Sequence, residues 1–319
     1  MTSMVFKNVY IGNYYSVASK LENEGNIKSD EVISNYYNGC KTFEGAEIKM
    51  QRHVVDNLLS DNKDVDLIVG GDLSNQLAIS AYMAFKYNIA FMGMYSACAT
   101  FNSEILTLAN FIDNKKIKKA IAIVSSHNKV SERQFRYPIE YGAPKPKRST
   151  YTATASVGAI IQSQKTNIRV ESATIGKVFD SYIKDAFNMG GVMAISCANT
   201  LNDHLKELKR DISYYDLVVT GDLGIYGSKI FKEYVLKEYN ITIKNYMDAG
   251  SNLYKKEQNL YAGASGPSAL PLYLFTKILK SKKYKRILLL ASGSLHNAVM
   301  VNQKNTIVST SHAISLEVE

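Results

Sequence analysis

The sequence predicts an α/β protein in which one half of about 150 residues is followed by a second of the same plan. Three observations carry that expectation. The segment Val65-Asp66-Leu67-Ile68-Val69-Gly70-Gly71-Asp72-Leu73 returns 150 positions later as Tyr215-Asp216-Leu217-Val218-Val219-Thr220-Gly221-Asp222-Leu223. The segment Ala120-Ile121-Ala122-Ile123-Val124-Ser125-Ser126-His127-Asn128 returns 166 positions later within residues 286–297, which close on Ser294-Leu295-His296-Asn297. Between these landmarks short apolar runs alternate with amphipathic stretches. Strands that alternate with helices imply right-handed crossovers and a largely parallel sheet with helices on its faces.

Each Gly-Asp-Leu segment reads as a buried strand, because its apolar run is too short for a helix and stops at turn residues. Helical spacing follows both, over 76–87 and 228–239. A further helix starts at Cys98, with Phe101, Ile105, Leu108 and Ile112 on one stripe. Its counterpart starts near Gly266, with Leu270, Leu274, Ile278 and Leu279. Apolar stripes at this spacing are core faces, and these two helices read as the layer shared between two sheets. Strands at 120–124 and 286–291 come next. Two β-rich segments then close each half: 155–163 and 168–177 in the first, 298–301 and 306–317 in the second. The halves divide on this reading into 1–178 and 179–319.

Composition narrows the function classes. The 319 residues are 46% hydrophobic and 21% charged, ordinary values for a globular protein. The longest uncharged run, 88–103, is shorter than a membrane-spanning helix and holds Gly, Ser and Thr. No cationic start followed by an apolar block marks a signal peptide. Cys40, Cys98 and Cys197 are odd in number and scattered, which favours reduced thiols over a disulfide framework. No Cys/His pair has metal-ligand spacing, so no metal site is expected. Thirty-eight Lys and Arg against 29 Asp and Glu leave a net charge of +9. The excess gathers in 115–119, 145–148 and 282–286, which favours anionic partners. No zinc-finger spacing, RNP-like aromatic motif or helix-turn-helix accompanies it, so nucleic acid is not expected as a partner.

Four places could carry chemistry. Cys98 follows a short apolar strand and small residues and opens a helical stripe; a thiol at a helix N-terminus is a sensible nucleophile, although a small buried core residue fits equally well. His127 and His296, each just past a strand, are the candidate bases. The loop Gly263-Ala264-Ser265-Gly266 feeds the second core helix and can present N–H groups to an anion, yet it matches neither a P-loop nor a GxGxxG fingerprint. The segment 125–138 gathers His127, Asn128, Lys129, Arg133, Phe135 and Arg136 at the carboxyl end of a strand, where open α/β sheets bind ligands. Guanidinium groups grip carboxylates and aromatic faces stack on flat rings. Solvated loops with salt-bridged arginines are the competing reading.

Several of these strings resemble the stage V sporulation protein AD family of endospore-forming bacteria. They are Ser125-Ser126-His127-Asn128, Glu132-Arg133-Gln134-Phe135-Arg136-Tyr137-Pro138, Gly71-Asp72-Leu73-Ser74-Asn75-Gln76, Ser96-Ala97-Cys98-Ala99-Thr100 and Thr220-Gly221-Asp222-Leu223. The resemblance runs from 45 to 316. It implies the thiolase fold: duplicated βαβαβαββ halves in five layers, α-β-α-β-α. It also implies a dipicolinic acid-binding protein of the spore inner-membrane channel complex, acting in uptake of that acid, with calcium, and in its release at germination.

The same comparison implies that catalytic residues of the fold are missing. The Gly-His-Pro of catalytic thiolases is replaced by Asn259-Leu260-Tyr261, and Ala291-Ser292-Gly293 stands in the region of the second thiolase cysteine. Gly221-Asp222 follows the strand ending near Thr220, where synthase III-type condensing enzymes carry His, and Ala264 stands where they carry Asn. The expectation is therefore a non-catalytic binding protein, with Cys98 a vestigial nucleophile position. Its expected ligand-binding residues are Cys98, His127, Asn128, Arg133, Arg136, Asp222, Gly263 and Ser265, with no cofactor beyond calcium accompanying the acid. Expected partners are the other channel subunits, a second copy of the chain and, peripherally, the spore inner membrane. The competing readings are an acyl-transfer enzyme using Cys98 and a purely architectural channel subunit.

Overall fold

The computed structural model describes residues 2–135 and 145–319. Its first half runs β1 (Tyr10–Ser19), α1 (Phe43–Asp61), β2 (Leu67–Gly71), α2 (Ala78–Ala84), β3 (Ala90–Gly93), α3 (Thr100–Asp113), β4 (Lys119–Ser126), α4 (Asn128–Phe135) and β5 (Ala155–Gln162). The second runs β6 (Ile168–Ile175), α5 (Met189–Leu208), β7 (Leu217–Thr220), α6 (Gly224–Tyr239), β8 (Tyr246–Asp248), α7 (Ala249–Leu253), α8 (Ala269–Tyr273), β9 (Arg286–Ser294), α9 (Ala298–Asn302) and β10 (Val308–Val318).

Both sheets share one order, β3-β2-β4-β5-β1 and β8-β7-β9-β10-β6. Within each, the first three strands are mutually parallel and the fourth is antiparallel to both its neighbours. The two sheets meet edge to edge where Tyr10 pairs with Arg169.

This topology moves the division between the halves. The segment 168–177, expected to close the first half, is β6: it pairs with β10 and opens the second half. The boundary therefore falls between Gln162 and Ile168 rather than after 178. The segment 298–301, expected as β-rich, is the short helix α9, with Asn297 capping it by accepting the Met300 N–H.

Strand alternation builds the layers. Val69, Ala120, Ala122 and Val124 point into a central core, and Ile68, Ile121 and Ile123 into an outer one beneath α1 and α2. In the second half Leu217, Val219 and Leu289 point inward, while Val218, Leu288 and Leu290 meet α5 and α6. The central core is filled by Phe101, Ile105, Leu108 and Ile112 of α3. Leu270 of α8 joins them, with Leu274, Phe275 and Ile278 of the π-helical turn that continues it. Burying each such side chain fully contributes roughly 1.5–3 kcal/mol. Three cores between five layers give the α-β-α-β-α stack.

Equivalent aspartates fix the entry to equivalent strands. Asp66 Oδ2 accepts the N–H groups of Lys118 at 2.8 Å and Lys119 at 3.2 Å. Asp216 Oδ2 accepts those of Lys285 at 2.8 Å and Arg286 at 2.9 Å. The repeated Asp therefore satisfies the backbone N–H groups where β4 and β9 begin.

Candidate functional site

The two Gly-Asp-Leu turns look alike in sequence and diverge in use. Asp72 is consumed by the turn into α2: its Oδ1 accepts the Ser74 N–H at 2.7 Å, and its Oδ2 accepts the Ser80 N–H at 2.8 Å and hydroxyl at 2.6 Å. In the second half that task falls to Asp248, which accepts from Thr220 Oγ1 at 2.8 Å and from the N–H groups of Leu223, Gly224 and Ser251. Asp222 is thereby released to face the site. Its Oδ2 accepts the Gly266 N–H at 3.1 Å, and its Oδ1 has no hydroxyl or amide donor among the described residues. The Cys98 thiol lies against this carboxyl.

Cys98 occupies a 3-10 turn, Ala97–Ala99, that leads into α3. Ala97 is held at φ 48°, and the Thr100 hydroxyl donates to its carbonyl at 2.6 Å while accepting the Ser96 N–H at 3.0 Å. The helix start is thus occupied by its own hydroxyl. Burial, then the neighbouring Asp222 carboxyl, push the thiol well above its ordinary range. Burial likewise lifts Asp222 to about 7. The lowered thiol pKa that a helix start suggested does not occur; the cysteine is held as a protonated thiol.

The space beside Cys98 is small. A cavity of about 30 Å³, bounded among others by Leu73, Tyr95, Ser131, Phe135, Ser265 and His296, has room for about one water. Tyr95, Phe135 and His296 separate it from a groove of about 680 Å³ that continues along Asn75, Gln76, Gln134 and Asn297. The Phe135 and His296 rings face one another at 5.6 Å and 30°. None of the described residues lining this groove is Lys, Arg, Asp or Glu.

Of the expected site residues, Cys98, Asp222 and Ser265 come together. His127 does not join them. It is buried beneath Tyr36 and Phe43, with Nε2 bonded to the Tyr36 carbonyl at 2.8 Å and Nδ1 accepting the Lys129 N–H. Burial drives it down to about 4, so it stays neutral. Asn128 starts α4, its N–H donating to Thr154 Oγ1 at 3.0 Å. Arg133 is turned away and paired with Glu44. Arg136 lies outside the described residues. Gly263, at φ 116°, serves a close approach: a Cβ there would sit 2.5 Å from the Gly250 carbonyl oxygen. Sequence reasoning gave no site role to Tyr95, nor to Asn75 and Gln76, which entered only as part of a family string. The available signals were the position of Tyr95 three residues before Cys98 and the polar pair directly after Gly-Asp-Leu-Ser.

The family model described as Stage V sporulation protein AD matches residues 1–317. Stage V sporulation protein AD of Bacillus subtilis (strain 168) is 35% identical over 97% of this chain and 94% of its own. Among solved structures, cerulenin-bound OleA of Xanthomonas campestris aligns with a TM-score of 0.62 at 13% identity, covering 98% of this chain and 97% of that one. The 3-oxoacyl-[acyl-carrier-protein] synthase III of Aquifex aeolicus aligns with a TM-score of 0.60 at 13% identity, covering 97% and 99%. At such identities the likeness is one of fold, and the fold is thiolase-like.

Proposed function

The chain belongs to the stage V sporulation protein AD family, and on that premise we propose that it binds dipicolinic acid without catalysing acyl transfer. In this reading it serves uptake and release of the acid as a peripheral subunit of the spore inner-membrane channel complex. The observation that carries the non-catalytic part is the Cys98–Asp222 contact. A nucleophilic thiol needs a neighbour that takes its proton and a group that stabilises the oxyanion. Cys98 has a buried carboxyl that keeps the proton on sulfur.

The ligand belongs in the outer groove, since the cavity beside the thiol holds about one water and dipicolinate is a ring with two carboxylates. Tyr95, Phe135 and His296 offer aromatic faces, and Asn75, Gln76 and Asn297 offer amides. A dianion in a groove with no Lys or Arg among its described lining residues would be desolvated and uncompensated by them. The calcium chelate, which carries no net charge, fits such a lining better. No helix among the described residues is long and apolar enough to cross a membrane, which is compatible with peripheral association.

Isothermal titration with dipicolinate, with and without equimolar calcium, tests the reading. Saturable binding that tightens with calcium and survives Cys98→Ala is the expected result. Absence of binding in both arms, or covalent labelling of Cys98 by an acyl-coenzyme A, would overturn it in favour of the architectural or the enzymatic alternative respectively.

A further inference from the structure

The end of the molecule opposite this groove carries a feature that ligand binding does not use. The loops entering the equivalent strands β4 and β9 are lysine-rich: Lys115, Lys116 and Lys118 precede the first, Lys282, Lys283 and Lys285 the second. All six are exposed, and none has an acidic partner within 4.0 Å among the described residues. The acids nearby are already engaged. Asp66 and Asp216 hold the backbone of the two loops, Glu319 pairs with Lys165, and Glu317 pairs with Arg169.

Hydrogen bonds make the two loops one continuous end. The Lys118 carbonyl accepts the Ser163 N–H at 3.0 Å, the Asn167 carbonyl accepts the Glu319 N–H at 2.9 Å, and the Lys285 carbonyl accepts the Val318 N–H at 2.7 Å. Beside the second cluster lies a groove of about 870 Å³ whose walls include Lys7, Lys165, Lys285 and Arg286 together with the engaged acids Asp216, Glu317 and Glu319. Duplication thus places two matching sets of unpaired ammonium groups on either side of the seam between the sheets.

We propose that this end is the surface by which the protein docks on a bilayer of anionic lipid. Lysine ammonium groups on exposed loops suit headgroup phosphates as point charges. A nucleic-acid surface would want exposed rings for base stacking; Tyr284, the one aromatic residue among 280–286, packs against the central core. This assignment refines only the peripheral-membrane part of the proposed function and is independent of dipicolinate binding. It leaves the mouth of the ligand groove on the side away from the lipid.

Sedimentation with phosphatidylglycerol/phosphatidylcholine vesicles tests it, using the whole chain as wild type and as two triple variants, K115E/K116E/K118E and K282E/K283E/K285E. Each triple reversal should lower affinity for the mixed vesicles roughly 100-fold or more, at about one lysine's contribution per site removed. Wild type should ignore pure phosphatidylcholine and release the mixed vesicles in high salt. Lys→Gln versions of the same triples stand in if a reversal fails to fold. The proposal falls if the variants bind mixed vesicles like wild type, if wild type does not bind them, or if it prefers single-stranded RNA through the same lysines. Dipicolinate titration of the same variants separates the two readings: unchanged affinity there leaves the ligand site standing whatever the vesicles show.

Discussion

The Asp222 carboxyl lies against the Cys98 thiol, both buried, with the Gly266 N–H as the carboxyl's backbone donor. Proton occupancy of this pair sets the charge beside the small cavity that Cys98 lines. Burial lifts Asp222 from 3.8 to about 7. Between those values the folded protein retains a proton that the unfolded chain has released, so this group's effect on stability becomes less favourable as pH rises through the window. Asp222→Asn removes the dependence and keeps an acceptor for Gly266. The melting advantage of the variant over wild type should therefore grow between pH 5 and pH 8, on the order of 2–3 kcal/mol. A difference that stays flat with pH would show that the carboxyl does not titrate in this range.

The same contact governs thiol reactivity. With Asp222 replaced by Asn, one of the two causes that raise the Cys98 thiol disappears and burial alone remains. Alkylation of Cys98 by iodoacetamide at pH 8, read by peptide mass spectrometry, should be slow in wild type. It should rise in the variant, where the thiol gives up its proton more readily. Equal rates would mean that the carboxyl does not hold the thiol proton.

Arg133 and Phe135 lie two positions apart in α4 and should behave oppositely. Arg133 pairs with Glu44 at a half-exposed position, where such pairs contribute about 0–1 kcal/mol. Arg133→Ala should leave dipicolinate affinity unchanged, whereas Phe135→Ala and His296→Ala should each weaken it tenfold or more by removing a ring face. Calorimetric titration of the three variants decides this. Loss of affinity in Arg133→Ala with Phe135→Ala unaffected would return the ligand to the arginine side of the helix.

Much of this architecture was legible in the sequence, because duplication wrote it twice. The Asp66/Asp216 echo marks a real shared task at strand entry, and the Phe101-to-Ile112 stripe is the central layer. What stayed hidden was decided by long-range pairing. Ile168–Ile175 has the alternation of any strand, and only its pairing with Val308–Val318 assigns it to the second half. Tyr10–Ser19, the edge strand of the first sheet, has too little apolar pattern to announce itself. His127 and His296 are equivalent in sequence; Tyr36, ninety-one positions upstream, is what closes over the first, leaving the second beside the groove.

An edge strand and its neighbouring helix point to assembly. Ala90–Gly93 pairs on one side only among the described strands, and Tyr82 and Phe85 nearby are 66% and 89% exposed. Edges of this kind invite pairing across a two-fold axis, and an isologous dimer covers both at once. Light scattering at micromolar concentration should report a dimer for wild type and a monomer for Tyr82→Glu/Phe85→Glu. A wild-type monomer, or a dimer indifferent to both substitutions, would place the edge outside any interface.

The sharpest test of the duplicated plan compares its two equivalent glycines. Gly71, the last residue of β2, and Gly221, the residue just past β7, both precede the Gly-Asp-Leu aspartate, yet their surroundings differ. A Cβ on Gly71 would lie 2.3 Å from Thr100 Cγ2 and 2.4 Å from the Met94 carbonyl oxygen, contacts that neither the helix start nor the strand can relieve. A Cβ on Gly221 would meet nothing nearer than Ala291 Cα at 3.7 Å. The first half holds its turn tightly because Thr100, at the start of α3, is pressed against it; the second leaves room beside Asp222. Overpacking against backbone typically costs about 1–3 kcal/mol and occasionally more. Gly71→Ala should therefore lose at least that much in urea unfolding, while Gly221→Ala stays within about 1 kcal/mol of wild type. Equal losses in the two variants would mean that the halves kept the same packing at this turn, and the account of Asp222 as the aspartate released from turn duty would lose its structural basis.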